Sequence, residues 1–192
     1  MKRPNALQLC FLAFCAALNL IGGTIALMLR LPIYLDTLGT MLSAALFGPL
    51  WGMVPGLISG LISGFTSDIY ALYYIPVQLI IGFLTGCVFS KRNPKGWRLV
   101  PAAAMISLPG TVVSSAITAF VFGGITSSGS TVLVQLLHGF GMNLTLAVCM
   151  VQAATDYVDR ILVLALTLAV LSLLPGSIRY HLQKGDVRHG SL

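Results

Sequence analysis

Residues 35–65 read LDTLGTMLSAALFGPLWGMVPGLISGLISGF, and this stretch decides the fold of the chain. It opens with one carboxylate, Asp36, and is then apolar as far as a break at Gly48-Pro49. After the break, glycine recurs at residues 52, 56, 60 and 64. This spacing places the glycines near one face of a helix, where a second helix can approach closely. The pattern predicts two short helices joined by a tight turn, the second with a glycine face that packs.

The rest of the chain is similarly apolar. Of its 192 residues, 57% are hydrophobic and only 8% are charged, and the mean hydropathy is +0.93. These values are typical of an all-α integral membrane protein and exclude an ordinary soluble domain. The net charge of +6 does not indicate a nucleic-acid partner, because the basic residues lie at the ends of apolar segments.

The basic residues predict the topology. Nine of the eleven lie within residues 2–3, 91–98 and 179–188. Cytoplasmic loops are enriched in Lys and Arg, so all three places are expected in the cytoplasm, with an even number of crossings between them. We therefore predict a single membrane domain over residues 1–192, with six transmembrane helices and both termini cytoplasmic.

The apolar runs give the helix bounds. Helices are expected at about residues 6–29, 36–50, 51–66, 76–90, 99–122 and 156–174, followed by a cytoplasmic tail at 176–192. Residues 132–155 are apolar but are interrupted at 138–143, and the basic tail leaves room for one crossing after them. We expect this segment to be a re-entrant or extracellular helical pair before the last helix. A true crossing, which would give seven helices and an outer C-terminus, is the alternative.

This topology gathers polar side chains in the outer third of the protein. They are Asp36, Asp68, Tyr70, Tyr73, Tyr74, Gln78, His138, Asn143, Asp156, Asp159 and Arg160. Ionisable residues at membrane depth usually line a cavity or pair with one another. Two interpretations stay open. Arg160 pairs with Asp156 or Asp36 to satisfy both charges, or the group forms an outward-facing pocket in which tyrosines stack on a flat ring. The tyrosines could also be an ordinary aromatic belt.

No enzyme or metal pattern is present in the sequence. The four cysteines are scattered in apolar segments and form no C-x-x-C pair. Asp156 and Asp159 are three apart, so they can share a helix face, but no His or Glu lies nearby to complete a metal site. There is no Walker sequence for ATP. We therefore expect neither an enzyme nor a cofactor, and no metal.

Several motifs together resemble the substrate-binding S components of energy-coupling factor (ECF) transporters, the bacterial vitamin importers. The chain has an Asp-x-x-Gly-Thr pattern at 36–40, followed by Gly-Pro-x-x-Gly at 48–52. Its first helix has the Ala-x-x-x-Ala pattern, with Ala13 and Ala17, and its last begins with Asp159-Arg160 and ends in Leu-Leu-Pro. Arginine stands where lysine is commoner in the family.

The resemblance implies a function and partners. It implies a multi-pass protein of the bacterial cell membrane that binds a vitamin-like molecule and works with a transmembrane coupling subunit and two ATPase subunits. It gives Ala13 and Ala17 the docking of the coupling subunit. The substrate-binding residues expected from the resemblance and the outer polar group are Asp36, Tyr70, Tyr74, Gln78, Asn143, Asp156, Asp159 and Arg160.

The sequence indicates the substrate less specifically than it indicates the function. The acids at the outer end favour a neutral or cationic ligand over an anionic one, and a small nitrogen heterocycle is expected. Two rival functions remain: a structural membrane protein of the rod-shape-determining MreD type, and an intramembrane enzyme acting through Asp156 and Asp159. Neither accounts for the Gly-Pro hairpin and the outer polar group together.

Overall fold

A computed structural model describes residues 5–91, 94, 96–177, 179 and 182, without the side chain of Lys91. All regular secondary structure in these residues is helical, as the composition predicted. Eight α-helices follow in order: α1 Ala6–Met28, α2 Leu38–Phe47, α3 Pro49–Thr66, α4 Tyr70–Tyr73, α5 Ile75–Lys91, α6 Leu99–Ala116, α7 Ser130–Gly139 and α8 Leu144–Leu173. A 3₁₀ turn, Gly96–Arg98, precedes α6, and a π-helical turn, Ile117–Val121, extends it.

Two of these helices are long and apolar enough to cross a membrane. They are α1 and the continuous helical segment Gly96–Val121, while α2 and α5 are shorter apolar helices. Helix α1 begins at a capping box in which Gln8 N donates to Asn5 Oδ1 over 2.8 Å and Asn5 N donates to Gln8 Oε1 over 3.0 Å.

The α2–α3 hairpin turns at Gly48, which has φ +85°, a left-handed conformation that suits glycine. Pro49 then occupies the first turn of α3, where its missing N–H costs little. The predicted turn is confirmed, and the glycine face of α3 packs as predicted. A Cβ on Gly52 would lie 2.4 Å from the Cβ of Ala44 in α2.

Helix α5 approaches the same hairpin through glycines of its own. A Cβ on Gly86 would lie 2.4 Å from the Cα of Pro49, and one on Gly82 would lie 2.8 Å from the carbonyl oxygen of Gly52. The main hydrophobic core lies next to this contact and joins α2, α5, α6 and α8 through side chains such as Met41, Ile81 and Leu164.

The last helix differs from the prediction. It was expected at 156–174, but α8 begins at Leu144 and runs for 30 residues. The side chain of Asn143 starts it by accepting from Thr145 N over 2.9 Å. The acids that were expected to mark its outer end lie near its middle and are buried, so they could not signal a helix start. The break at 138–143 is confirmed.

The segment 132–155 is therefore divided between two helices. Its first part belongs to α7, and its second part is the beginning of α8. The two parts pack on one another through Val134, Ala147, Val148 and Val151, so a helical pair exists but is continuous with the last helix. Most of the tail at 176–192 lies outside the described residues, as do residues 92, 93 and 95 of the basic loop.

Candidate functional site

A cavity of about 120 Å³ lies among helices α1, α3, α4, α5, α6 and α8 and is also lined by the α1–α2 and α6–α7 connections. Six of the eight predicted binding residues line it: Asp36, Tyr70, Tyr74, Gln78, Asp156 and Arg160. An apolar cavity of about 150 Å³ can hold benzene. This cavity thus has the scale of one small ring.

Asp159, the seventh predicted residue, is completely buried and lies in the wall behind the cavity. Its Oδ2 lies 3.1 Å from Arg160 Nη1, an ion pair whose geometry is not that of a hydrogen bond. Its Oδ1 accepts from the backbone N–H groups of Tyr34 and Leu35 over 3.0 and 2.9 Å. Leu35 has φ +52°, an uncommon conformation for a branched residue, and Asp159 holds it there.

Arg160 also donates from Nη1 to the hydroxyl of Thr37, a buried residue just before α2. The guanidinium therefore ties α8 to the α1–α2 connection. Arg160 does pair with an acid, as one interpretation predicted, but that acid is Asp159. The predicted partners, Asp156 and Asp36, do not form this pair. Adjacent residues on a helix do not normally face one another. Here both side chains contact the connection at 34–37, Asp159 at the N–H groups of Tyr34 and Leu35 and Arg160 at the hydroxyl of Thr37.

Asp156 lies one helical turn before that pair and has different neighbours. Its Oδ2 accepts from the hydroxyls of Thr111 and Ser114 on α6, each over 2.9 Å. Within the described part of the chain, the Asp159–Arg160 contact is the one ion pair within 4.0 Å. Asp156 is thus a buried acid held by neutral donors.

A chain of buried amides and hydroxyls forms the floor on the other side. Asn19 of α1 accepts at Oδ1 from the N–H groups of Gly39 and Thr40, over 2.7 and 3.3 Å. Its Nδ2 donates to Thr40 Oγ1 over 2.7 Å. Thr40 in turn donates to Gln78 Oε1 over 3.4 Å, and Gln78 Nε2 donates to Asp36 Oδ2 over 2.7 Å.

Asp36 lies in the α1–α2 connection, before the first residue of α2. Burial raises the pKa of its carboxyl from 3.8 to about 6, and the positive charge of Arg160 opposes part of that rise. Asp36 therefore loses its proton at a higher pH than an exposed aspartate does.

The tyrosines form the aromatic wall. The hydroxyl of Tyr74 lies 2.5 Å from that of Thr118. The rings of Tyr70 and Tyr73 pack edge-on against Phe122, with centroids 4.7 and 5.0 Å away. Tyr70 and Tyr74 line the cavity, whereas Tyr73 does not. Tyr34 adds a third lining ring, and its hydroxyl donates to Gln152 Oε1 over 3.3 Å.

Three predicted residues lie away from the cavity. Asn143 is exposed and serves as the N-cap of α8, so the structure does not bring it to the other binding residues. Ala13 and Ala17, the predicted docking residues, are both exposed on α1. The outer polar residue His138 is also exposed, and its Nδ1 lies 2.9 Å from the carbonyl oxygen of Met142.

The predicted binding residues did not include Asn19, Tyr34 and Thr40, which also belong to the site. Asn19 had a usable signal, since a single amide in an apolar helix is costly unless it is buried against polar partners. Tyr34 had none, because its position depends on the bend at Leu35. Among the described residues, no three His, Cys, Asp or Glu side chains are grouped so as to hold a metal ion.

Comparisons with known proteins add no assignment. No protein-family model, no curated protein and no solved structure matches this chain.

Proposed function

We propose that this chain is the substrate-binding membrane subunit of an ECF-type importer for a vitamin or related small nitrogen heterocycle. One observation carries the proposal: a single cavity is lined by six polar or aromatic residues among the predicted binding residues. The resemblance and the predicted topology select these residues without reference to the structure. Small-molecule sites are typically concave, largely apolar and aromatic, with a few fixed polar groups. The cavity has this composition.

The exterior of the protein supports a location in a lipid bilayer. Large apolar side chains are exposed along its helices, for example Phe14 at 54%, Met105 at 66% and Phe120 at 80%. Lipid is a favourable environment for such side chains, and their number along the helices agrees with the high mean hydropathy of the chain. With the basic segments in the cytoplasm, the proposal places the chain as a multi-pass protein of the bacterial cell membrane, with the cavity towards the outer side.

The exposed face of α1 supports the proposed partners. Ala13 and Ala17 are exposed there beside Phe14 and Ile21, and small residues allow another helix to approach closely in lipid. We assign this face to the transmembrane coupling subunit. ATP hydrolysis would then belong to two partner ATPase subunits, and this chain would not itself be an enzyme.

Ligand binding to the isolated protein tests the proposal. The full chain in detergent is heated with each member of a panel of vitamins and nitrogen heterocycles. A ligand at 100 times its dissociation constant stabilises the native state by about 2.7 kcal/mol, which raises the melting temperature measurably. We expect one compound to do so, and we expect Gln78→Ala to abolish the shift.

The matched control is Gln135→Ala, which changes an exposed glutamine on α7 away from the cavity. It should retain the ligand-induced shift. Absence of any shift across the panel, together with co-purification of cell-shape proteins in place of a coupling subunit and ATPases, would favour the MreD-type structural function.

A further inference from the structure

We propose that the ligand of this cavity carries a positive charge, and that its cationic nitrogen binds between Asp36 and Asp156. The inference rests on the proposed function and adds the charge of the substrate.

The positive charge of Arg160 is already balanced by a buried acid. Arg160 is the one basic residue among the described residues that line the cavity. It pairs with Asp159, which is completely buried and does not itself line the cavity. The pair is neutral overall, so Arg160 leaves no net positive charge for an anionic ligand.

The carboxylates of the lining remain without a counter-ion. Asp36, Asp68 and Asp156 line the cavity, and none has a basic group within 4.0 Å in the described part of the chain. Asp156 is 4% exposed, and every hydrogen bond it makes to a described residue uses Oδ2. Neutral hydroxyls stabilise a carboxylate but do not cancel its charge, so a buried acid of this kind favours a cation.

The floor of the cavity leaves Asp36 as an acceptor. Backbone N–H groups can only donate, so those of Gly39 and Thr40 require Oδ1 of Asn19 to face them. Nδ2 of Asn19 then donates to Thr40, whose own proton goes to Gln78 Oε1. Gln78 therefore presents Nε2 to Asp36 Oδ2. No hydrogen bond from another described residue reaches Oδ1 of that carboxylate, so Oδ1 is left for a ligand that donates.

The walls favour an organic cation over a metal ion. Tyr34, Tyr70 and Tyr74 line the cavity together with apolar side chains such as Leu31 and Ile81. Aromatic faces attract organic cations, whereas Mg²⁺ and Ca²⁺ prefer shells of oxygen ligands that these walls do not provide. The size of the cavity suits one protonated or amidinium-bearing ring.

Three compounds of nearly equal shape test the charge directly: benzamidinium, benzamide and benzoate. Their dissociation constants are measured by calorimetry on the full chain in detergent. We expect benzamidinium to bind at least tenfold more tightly than benzamide, and benzoate not to bind. In Asp156→Asn and in Asp36→Asn, the preference for benzamidinium over benzamide should fall at least tenfold. Asp156→Glu, which keeps the charge, should retain most of it.

The melting temperature without ligand shows whether each variant is folded, and Gln135→Leu serves as the control that keeps the preference. Equal or tighter binding of benzamide or benzoate overturns the inference, as does a preference that Asp156→Asn and Asp36→Asn leave intact. Protection by sodium or magnesium chloride alone, with no benzamidinium binding, also overturns it.

The proposed function and the charge of the ligand are tested by different outcomes. The proposed function fails if no member of the vitamin and heterocycle panel binds and no coupling subunit co-purifies, even where benzamidinium binds as expected. Conversely, a neutral or anionic vitamin that binds through Gln78 would sustain the function and overturn the charge assignment.

Discussion

The α2–α3 hairpin takes part in two regions of different construction. One is the contact of α3 with α5, and the other is the cavity beside it. At the contact, Gly52, Gly82 and Gly86 remove side chains so that backbones touch. At the cavity, Asn19, Thr40 and Gln78 keep polar side chains, and each is buried with a hydrogen-bond partner. The first region depends on shape and tolerates no added atom. The second depends on the direction of its hydrogen bonds and on charge.

A second contrast lies within the cavity wall. Asp156 and Asp159 are one turn apart on α8 and are both buried. Asp159 has a guanidinium 3.1 Å away, whereas Asp156 has two hydroxyls. Two acids of the same chemistry therefore have different roles, one structural and one available to a ligand.

The largest effect is expected from Asp159→Asn. It keeps the shape of the side chain but leaves Arg160 buried without a counter-charge, which typically costs about 3–5 kcal/mol. Asp156→Asn is the matched control, because no cation lies within 4.0 Å of that residue among those described. Chemical unfolding in detergent should show a large loss of stability for the first and little loss for the second. Equal losses would contradict the assignment of the pair.

Gly86→Ala should have the next largest effect. The added Cβ would lie 2.4 Å from Pro49 backbone atoms, which cannot move aside as a side chain could. We expect a loss of about 2–3 kcal/mol, the upper range for overpacking. Gly139→Ala is the control, since nothing lies within 4 Å of the added atom there, and its melting temperature should be unchanged or slightly higher. Wild-type stability in Gly86→Ala would show that the α3–α5 contact is looser than the structure has it.

Asn19→Leu tests the polar region in the same assay. It leaves the N–H of Gly39 buried without an acceptor, which costs about 1–2 kcal/mol. It also releases the orientation of Gln78, so ligand binding should weaken as well as stability. Gln135→Leu, an exposed amide on α7, should change neither. Loss of stability without any loss of binding would mean that Asn19 serves packing alone.

The smallest effect concerns pH. Burial raises the pKa of Asp36 to about 6 from 3.8, so the folded chain binds this proton more tightly than the unfolded chain. The contribution to stability is complete below about pH 4 and is lost as the pH rises through about 6. Because Asp36 is only half-buried, we expect about 1 kcal/mol after solvent screening. Asp36→Asn should flatten that part of the profile. If the profile of Asp36→Asn were unchanged, a group other than Asp36 would be responsible for this pH dependence.

Much of the fold could be predicted from residue patterns. Apolar runs predicted the helices at 6–29, 51–66 and 76–90 closely, and Gly48-Pro49 predicted the hairpin turn, because chain stiffness and backbone geometry are local properties. The beginning of α8 could not be predicted in this way. Charged residues usually mark the end of an apolar helix, and here Asp156, Asp159 and Arg160 lie inside α8 because partners on other segments satisfy them.

Residue patterns alone predicted an apolar, helical chain, a glycine face on α3 and a set of eleven polar residues, seven of which line the cavity. The tertiary structure alone decided how those polar residues pair. Arg160 pairs with Asp159, which also accepts from the backbone at Tyr34 and Leu35, and Asp156 is left to two hydroxyls on α6. Such choices depend on distances of a few ångströms between segments far apart in the chain, which no local pattern encodes.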